Sequence, residues 1–405
     1  MLLAVSVSQM EAAERVKGDK KLLKKIEKTL DFAIEQELRL YEAVKEKPKR
    51  MPRTYEAKND SLILCPIAWW TSGFFPGTMW YLYEHSGRED LRQIAERLTA
   101  RMEPFAYRTN NHDIGFAINC SYGNGYRLTK NEAYRKMVLT AAGNLATRFS
   151  PVVGCTRSWD NRPQWGFTVI IDNMMNLELL GVATQLGGDD RYMEIARSHA
   201  NTTMKNHFRP DYSTYHVVGY DEQTGEARVH VTHQGYADHS AWSRGQAWAL
   251  YGYTMMYRLT GDKRYLDQAV NIGKFLMNHP RLPKDKIPYW DYDTPAIPNT
   301  YRDASAGALM ASAYIELSQM IEGDLSEQFL DLAEQQLYSL CSPAYCAKAG
   351  QNGNFLLMHS TGNANNAKGY ELDAPLSYAD YYFIEAMLRY RRLCAGRPVV
   401  DTYAK

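Results

Sequence analysis

At 405 residues the chain exceeds the usual size of one domain, so two domains are the default expectation unless a repeat architecture overrides it. Its 45% apolar and 23% charged residues describe an ordinary globular protein. A formal charge of +1, with no basic run carrying interleaved aromatics, excludes a nucleic-acid reading and leaves any acidic ligand to local cations.

The six cysteines are dispersed, without C-x-x-C or histidine-paired spacing, and read as buried thiols; a Cys341–Cys346 disulfide is the alternative. No segment approaches the roughly 18 apolar residues of a membrane span. The apolar start Met1–Val7 is too short for a signal h-region and has no basic n-region. Taken as the remnant of an export signal it favours the periplasm; taken as a plain start it favours the cytoplasm.

In chain order the pattern predicts twelve helices, at 20–46, 72–86, 89–103, 113–127, 131–148, 171–186, 189–206, 243–259, 262–278, 303–321, 325–341 and 379–394. Short Gly/Asp turns separate most pairs, as in Leu186-Gly187-Gly188-Asp189-Asp190 and Leu259-Thr260-Gly261-Asp262-Lys263. There glycine ends one helix and Asp or Asn caps the next. Segments after the turns are one-sided, with Leu266, Ala269, Val270 and Gly273 at helical spacing. Those before them are apolar nearly all round, as in Met174, Met175, Leu177, Leu179, Leu180 and Val182. Six buried helices alternating with six amphipathic ones predict an all-α fold, an (α/α)6 barrel of six helical hairpins. The expected organisation is an N-terminal segment 1–19, one barrel domain over 20–395 and a tail 396–405; two packed helical domains are the alternative.

Polar and aromatic clusters open the candidate inner helices: Trp69-Trp70-Thr71-Ser72-Gly73-Phe74, His112-Asp113, Asp172-Asn173, Trp242-Ser243-Arg244-Gly245-Gln246, Tyr301-Arg302-Asp303 and Ala379-Asp380-Tyr381-Tyr382. In such a barrel the inner-helix N-termini share one end, whose dipoles favour negative charge. The irregular stretches 150–170, 207–242, 279–302 and 342–378 supply its walls. Asp113 and Asp172 are the acid/base candidates, against the competing role of helix caps. An apolar setting and a neighbouring carboxylate raise a carboxyl pKa, whereas the dipole lowers it. Asp303 and Asp380, placed alike, are expected to be structural. His233, Gln234, Trp242, Arg244 and Trp248 offer hydroxyl partners, a stacking face and a carboxylate clamp suited to a charged sugar. No metal or cofactor motif is present, and no nucleophile elbow.

These clusters resemble the unsaturated glucuronyl hydrolases. The matching stretches are Asn111-His112-Asp113-Ile114-Gly115-Phe116, Ile170-Ile171-Asp172-Asn173, Thr232-His233-Gln234-Gly235, Trp242-Ser243-Arg244-Gly245-Gln246-Ala247-Trp248, Tyr289-Trp290-Asp291 and Arg302-Asp303-Ala304-Ser305. The resemblance runs over roughly residues 60–395. It implies an (α/α)6 barrel and removal of a 4,5-unsaturated glucuronic acid from lyase-generated oligosaccharides by hydration of the C4=C5 bond. By the same resemblance Asp172 is the acid/base, Asp113 is the second essential aspartate, and no cofactor is used. The implied substrate contacts are His112, Trp159, His216, His233, Gln234, Trp242 and Arg244, with Trp70 and Trp248. Around the neighbouring sugar the run from Leu357 to Gly362 brings in His359 and Ser360, and Ser360, Thr361, Asn363 and Lys368 are candidates to meet a sulfate. The expected partner is an unsaturated oligosaccharide, with no nucleic acid and no membrane, and monomer and dimer both stay open. Competing readings are an unsaturated rhamnogalacturonyl hydrolase, a sugar epimerase on the same barrel, and a non-catalytic binding module.

Overall fold

The computed structural model describes residues 18–365, 369–401 and 403. Met1–Val7 and Lys368 lie outside the described residues. Fourteen helices are present among the rest. They are α1 (Lys20–Val44), α2 (Phe74–Ser86), α3 (Glu89–Ala100), α4 (Glu103–Ala106), α5 (Ile114–Ile118), α6 (Asn124–Thr129), α7 (Glu132–Ala146), α8 (Asn173–Gln185), α9 (Arg191–Asn206), α10 (Ser243–Thr260), α11 (Lys263–Met277), α12 (Ala304–Ser318), α13 (Asp324–Leu340) and α14 (Ser377–Cys394).

Local chemistry sets the helix ends. Asp19, Asn131 and Asp262 cap α1, α7 and α11, each accepting a backbone N–H two residues on. Gly87 and Gly261 end α2 and α10 in the left-handed region, at φ 67° and 66°, where a side chain would be strained. Burial then sorts the helices into two rings. Every residue of α12 is buried, whereas α11 buries only the stripe Tyr265, Gln268, Ala269, Ile272, Gly273 and Leu276. The inner helices α2, α5–α6, α8, α10, α12 and α14 contact one another in sequence, and α14 packs back on α2 to close the ring. The outer helices α1, α3, α7, α9, α11 and α13 complete an (α/α)6 barrel.

Two predicted helices differ in detail. The expected helix over 113–127 is interrupted by a π-helical turn, Asn119–Gly123, that separates α5 from α6. The one over 89–103 stops at Ala100 and is followed by the short α4. The all-α expectation also leaves out three small antiparallel sheets: β1 (Arg50–Glu56) with β2 (Ser61–Pro66), β3 (Phe149–Ser150) with β4 (Cys155–Thr156), and β5 (Phe167–Ile170), β6 (Val217–Tyr220) and β7 (Ala227–Val231) in that order. The last of these organises the 150–170 and 207–242 walls. The six cysteines are free, so Cys341 and Cys346 form no disulfide. In the described part of the tail, Asp401 pairs with Arg127 and Arg392, and Val399 and Tyr403 are buried against the barrel. No helix among the described residues is long and apolar enough to cross a membrane.

Candidate active site

The sheet places the site. Ile170, the last residue of β5, is opposite Val217 at the start of β6, and the Ile171 N–H donates to the His216 carbonyl at 3.0 Å. Asp172 and His216 therefore emerge side by side, with His216 Nε2 3.6 Å from Asp172 Oδ2. On the other edge of β6, Val217 is opposite Val231, so the chain leaving β7 brings His233 and Gln234 over His216. Their backbone N–H groups both donate to His216 Nδ1, at 3.0 and 3.1 Å. Beyond β5, Ser158 N–H donates to the Thr168 carbonyl, and the Ser158 carbonyl receives His112 Nδ1 at 2.7 Å. His112 Nε2 then lies 3.1 Å from Asp113 Oδ1.

Asp113 and Asp172 occupy the positions before α5 and α8, yet neither side chain makes a capping hydrogen bond. Asp303 does cap α12, accepting the N–H groups of Ser305 and Ala306. Asp380 accepts the backbone N–H groups of Leu356 and Leu357, both at 2.8 Å, and ties down a wall loop. The four similarly placed aspartates thus divide into two that are structurally satisfied and two that are left for other work.

Burial acts on the latter two in the same direction, as it also does on Asp380. Burial pushes the Asp113 carboxyl up to about 7, against Arg148 and Asn176, which favour its ionised form. Burial likewise pushes Asp172 up to about 7, with Arg244 and Trp248 opposing and the Asp113 charge adding to the rise. Desolvation outweighs the partners that favour the ionised form at both positions.

Around them lies an aromatic and polar wall. Trp242 packs on His216 with ring centroids 4.6 Å apart, and Trp159 meets His233 at 5.3 Å. Trp70 stacks on Tyr378 at 4.9 Å and joins Phe116, which in turn meets Trp248. Arg244 is buried and both terminal nitrogens are engaged: one donates to Asp303 at 2.7 Å and to the Thr361 carbonyl, the other to Gln234 Oε1 at 2.9 Å and to the Gly362 carbonyl. The sequence reading made it a carboxylate clamp; the structure adds that it ties three walls together. Ser360 is fully buried, with its backbone paired to Ala374. His359, in the same loop, sits at φ 63° and pairs with Asp373 at 2.6 Å. Among the described residues no three His, Cys, Asp or Glu side chains converge as a metal set.

Sequence reasoning missed Asn176, Arg148, Ser158 and Trp165. Asn176 follows Asp172 by one helical turn, so its spacing was a readable signal. Its Oδ1 accepts the Phe116 N–H at 2.8 Å, which clamps α5 to α8. That contact explains Gly115, where a Cβ would come within 2.5 Å of the Asn176 Cα. Arg148 donates to the Ser158 carbonyl and pairs with Asp160, fixing the carbonyl that holds His112. Trp165 meets both Trp159 and His233 and extends the stacking face.

Two carboxyls that cap no helix, set in an aromatic mouth at one end of an (α/α)6 barrel, suit a glycoside hydrolase. The Glycosyl Hydrolase Family 88 model matches residues 41–393, and the chain belongs to that family. It is 45% identical to an unsaturated glucuronyl hydrolase of Formosa agariphila over 84% of this chain and 85% of that protein. It is 30% identical to an unsaturated chondroitin disaccharide hydrolase of Streptococcus pyogenes, over 79% and 81%. Among solved structures, an unsaturated glucuronyl hydrolase specific for heparin superposes with a TM-score of 0.88 at 42% identity, covering 93% of this chain and all of that one.

Proposed function

We propose that this hydrolase removes the 4,5-unsaturated glucuronic acid at the non-reducing end of lyase-generated, glycosaminoglycan-type oligosaccharides by adding water across C4=C5. The observation that carries this reading is the pair Asp113 and Asp172: both precede inner helices without capping them, and burial raises both carboxyls to about 7. Such a carboxyl retains a proton near neutrality and gives it up readily, as general acid catalysis requires.

In this mechanism Asp172 protonates C4, and the cation at C5 is stabilised by the ring oxygen. Water attacks C5 and returns its proton to Asp172, leaving a hemiketal. Ring opening at C5 frees a hemiacetal at C1, which expels the remaining sugar. No covalent sugar–enzyme bond is needed, so the two carboxyls need not form the nucleophile–acid pair of a retaining glycosidase. Trp159, Trp165 and Trp242 supply stacking faces for sugar rings, and His112, His216, His233 and Gln234 supply polar partners.

The test is incubation with lyase-generated disaccharides, sulfated and unsulfated, alongside an unsaturated rhamnogalacturonyl disaccharide. Loss of the conjugated ultraviolet absorbance is expected with the glucuronyl substrates. No loss with any of them would sink the proposal, and loss with the rhamnogalacturonyl substrate alone would transfer it to that substrate class.

A further inference from the structure

An Asp or Asn placed before a helix ordinarily turns its side chain back to the backbone N–H of the second or third helical residue. Asp19, Asn131 and Asp262 do so here, each from an extended backbone, at ψ 119°, 117° and 111°. Asp113 stands at the same position before α5, but at ψ 5° and without a capping bond. Its carbonyl still accepts the first helical N–H, from Ala117 at 2.9 Å, so the helix does begin there.

The N–H that such a carboxylate would take is that of Phe116, the third helical residue. It goes instead to Asn176 Oδ1 at 2.8 Å, across from α8. A backbone N–H only donates, which fixes the amide oxygen of Asn176 on Phe116. Asn176 is buried and follows Asp172 by one helical turn, so the two lie on one face of α8. Gly115 leaves room for the approach, since a Cβ there would come within 2.5 Å of Asn176 Oδ1. The first turn of α8 needs no such help: Met174 and Met175 N–H donate to the carbonyls of Ile171 and Asp172, at 3.1 and 3.0 Å. A side chain of the helix that opens at Asp172 thus starts the helix that opens at Asp113.

We infer that Asn176 is a positioning residue that caps α5 in place of Asp113, leaving the Asp113 carboxyl free for the substrate and setting its place relative to Asp172. Without Asn176 the Phe116 N–H loses its acceptor in a buried setting, where an unmet donor is costly. The carboxylate three residues earlier is the usual acceptor for that N–H, and taking it up withdraws Asp113 from the reaction. The inference rests on the proposed reaction only for this kinetic consequence.

The test is a double-mutant cycle in the full chain, read by urea denaturation, with Asn176→Ala, Asp113→Ala and the two combined. In the wild type, Asp113→Ala is expected to leave the midpoint unchanged or to raise it, since the carboxyl caps nothing. In the Asn176→Ala background the same change is expected to lower the midpoint, because there the carboxylate holds the Phe116 N–H. Additive effects would overturn the inference. If Asn176→Ala does not fold, Asp113→Ala is compared with Asp262→Ala, which removes a true cap. A fall as large in Asp113→Ala would overturn the inference, and a smaller one supports it. The kinetic arm uses the unsaturated disaccharides of the absorbance assay. There Asn176→Ala is expected to lower kcat on the order of 10- to 100-fold with KM within about threefold, as misplacing a reacting group does. An unchanged kcat, or a loss carried by KM alone, would overturn the inference. The denaturation arm involves no turnover, so its failure is separate from a failure of the proposed reaction.

Discussion

Arg244 and Asp303 form an ion pair at 2.7 Å with both side chains buried, and the same aspartate caps α12. Removing one partner of such a pair strands the other charge in a low-dielectric interior, at a cost of about 3–5 kcal/mol. Asp303→Ala also loses the cap and frees Arg244 to leave Gln234. Urea denaturation is expected to show the destabilisation, and kinetics a reduced kcat/KM in whatever folds. A variant as stable as the wild type would show that the pair holds nothing together.

Asp172→Asn is expected to abolish turnover while a disaccharide still binds, because the amide keeps the shape but has no transferable proton. Equilibrium binding by calorimetry beside the absorbance assay separates the two effects. Retained turnover would remove Asp172 from its role.

The pH profile follows from the direction of the shifts. Both carboxyls are raised to about 7, and the reaction consumes a proton carried by Asp172, so kcat/KM is expected to fall as pH rises through about 7. A profile that climbs through that region would place the reacting group in its ionised form and contradict the mechanism.

Gly115→Ala is expected to cost about 1–3 kcal/mol, the usual penalty for overpacking, since its Cβ would come within 2.5 Å of the Asn176 Cα. The strain falls where α5 meets α8, so kcat should drop as well as Tm. A normal Tm with normal kcat would show that the two helices have room to part.

Glu37 of α1 and Asp380 of α14 make a second carboxyl pair, away from the reaction. Glu37 is buried, and burial and the neighbouring Asp380 hold its carboxyl well above the ordinary range. Burial raises Asp380 as well, but its two backbone N–H partners favour its ionised form, so Glu37 is the more strongly raised of the two. A carboxyl raised on folding contributes stability that is present below its unfolded pKa and lost as pH rises through the folded value. Glu37→Gln keeps a donor for Asp380 and cannot ionise. Its Tm should therefore decline less than that of the wild type toward alkaline pH, and parallel declines would contradict the pairing.

The barrel was legible because its punctuation is local. Gly87 and Gly261 stop helices, Asn131 and Asp262 start them, and the burial of α12 is written in its alanines and serines. The hairpin of β1 and β2 was not, because Arg50-Met51-Pro52-Arg53-Thr54-Tyr55-Glu56 has no clean alternation and a register shift near Pro52. The site was legible as a set of clusters, and the resemblance divided its four aspartates into a catalytic and a structural pair. Asp113, Asp172, Asp303 and Asp380 otherwise look alike in one dimension, and their hydrogen-bond partners supply the physical reason for the division. Those partners are far off in the chain: Ser158 for His112, Leu356 and Leu357 for Asp380. The ties of Arg244 were hidden for the same reason, since Asp303, Thr361 and Gly362 approach it from segments that no spacing rule connects.

The central claim is that water adds to C5 and the bond at C1 is not attacked directly. Turnover in aqueous methanol with NMR of the products tests it most directly, because methanol trapped at C5 gives a ketal that cannot open. The account predicts a saturated C5 methyl ketal that still carries the reducing-end sugar. A methyl glycoside at C1, with the double bond intact and the second sugar released, would contradict it.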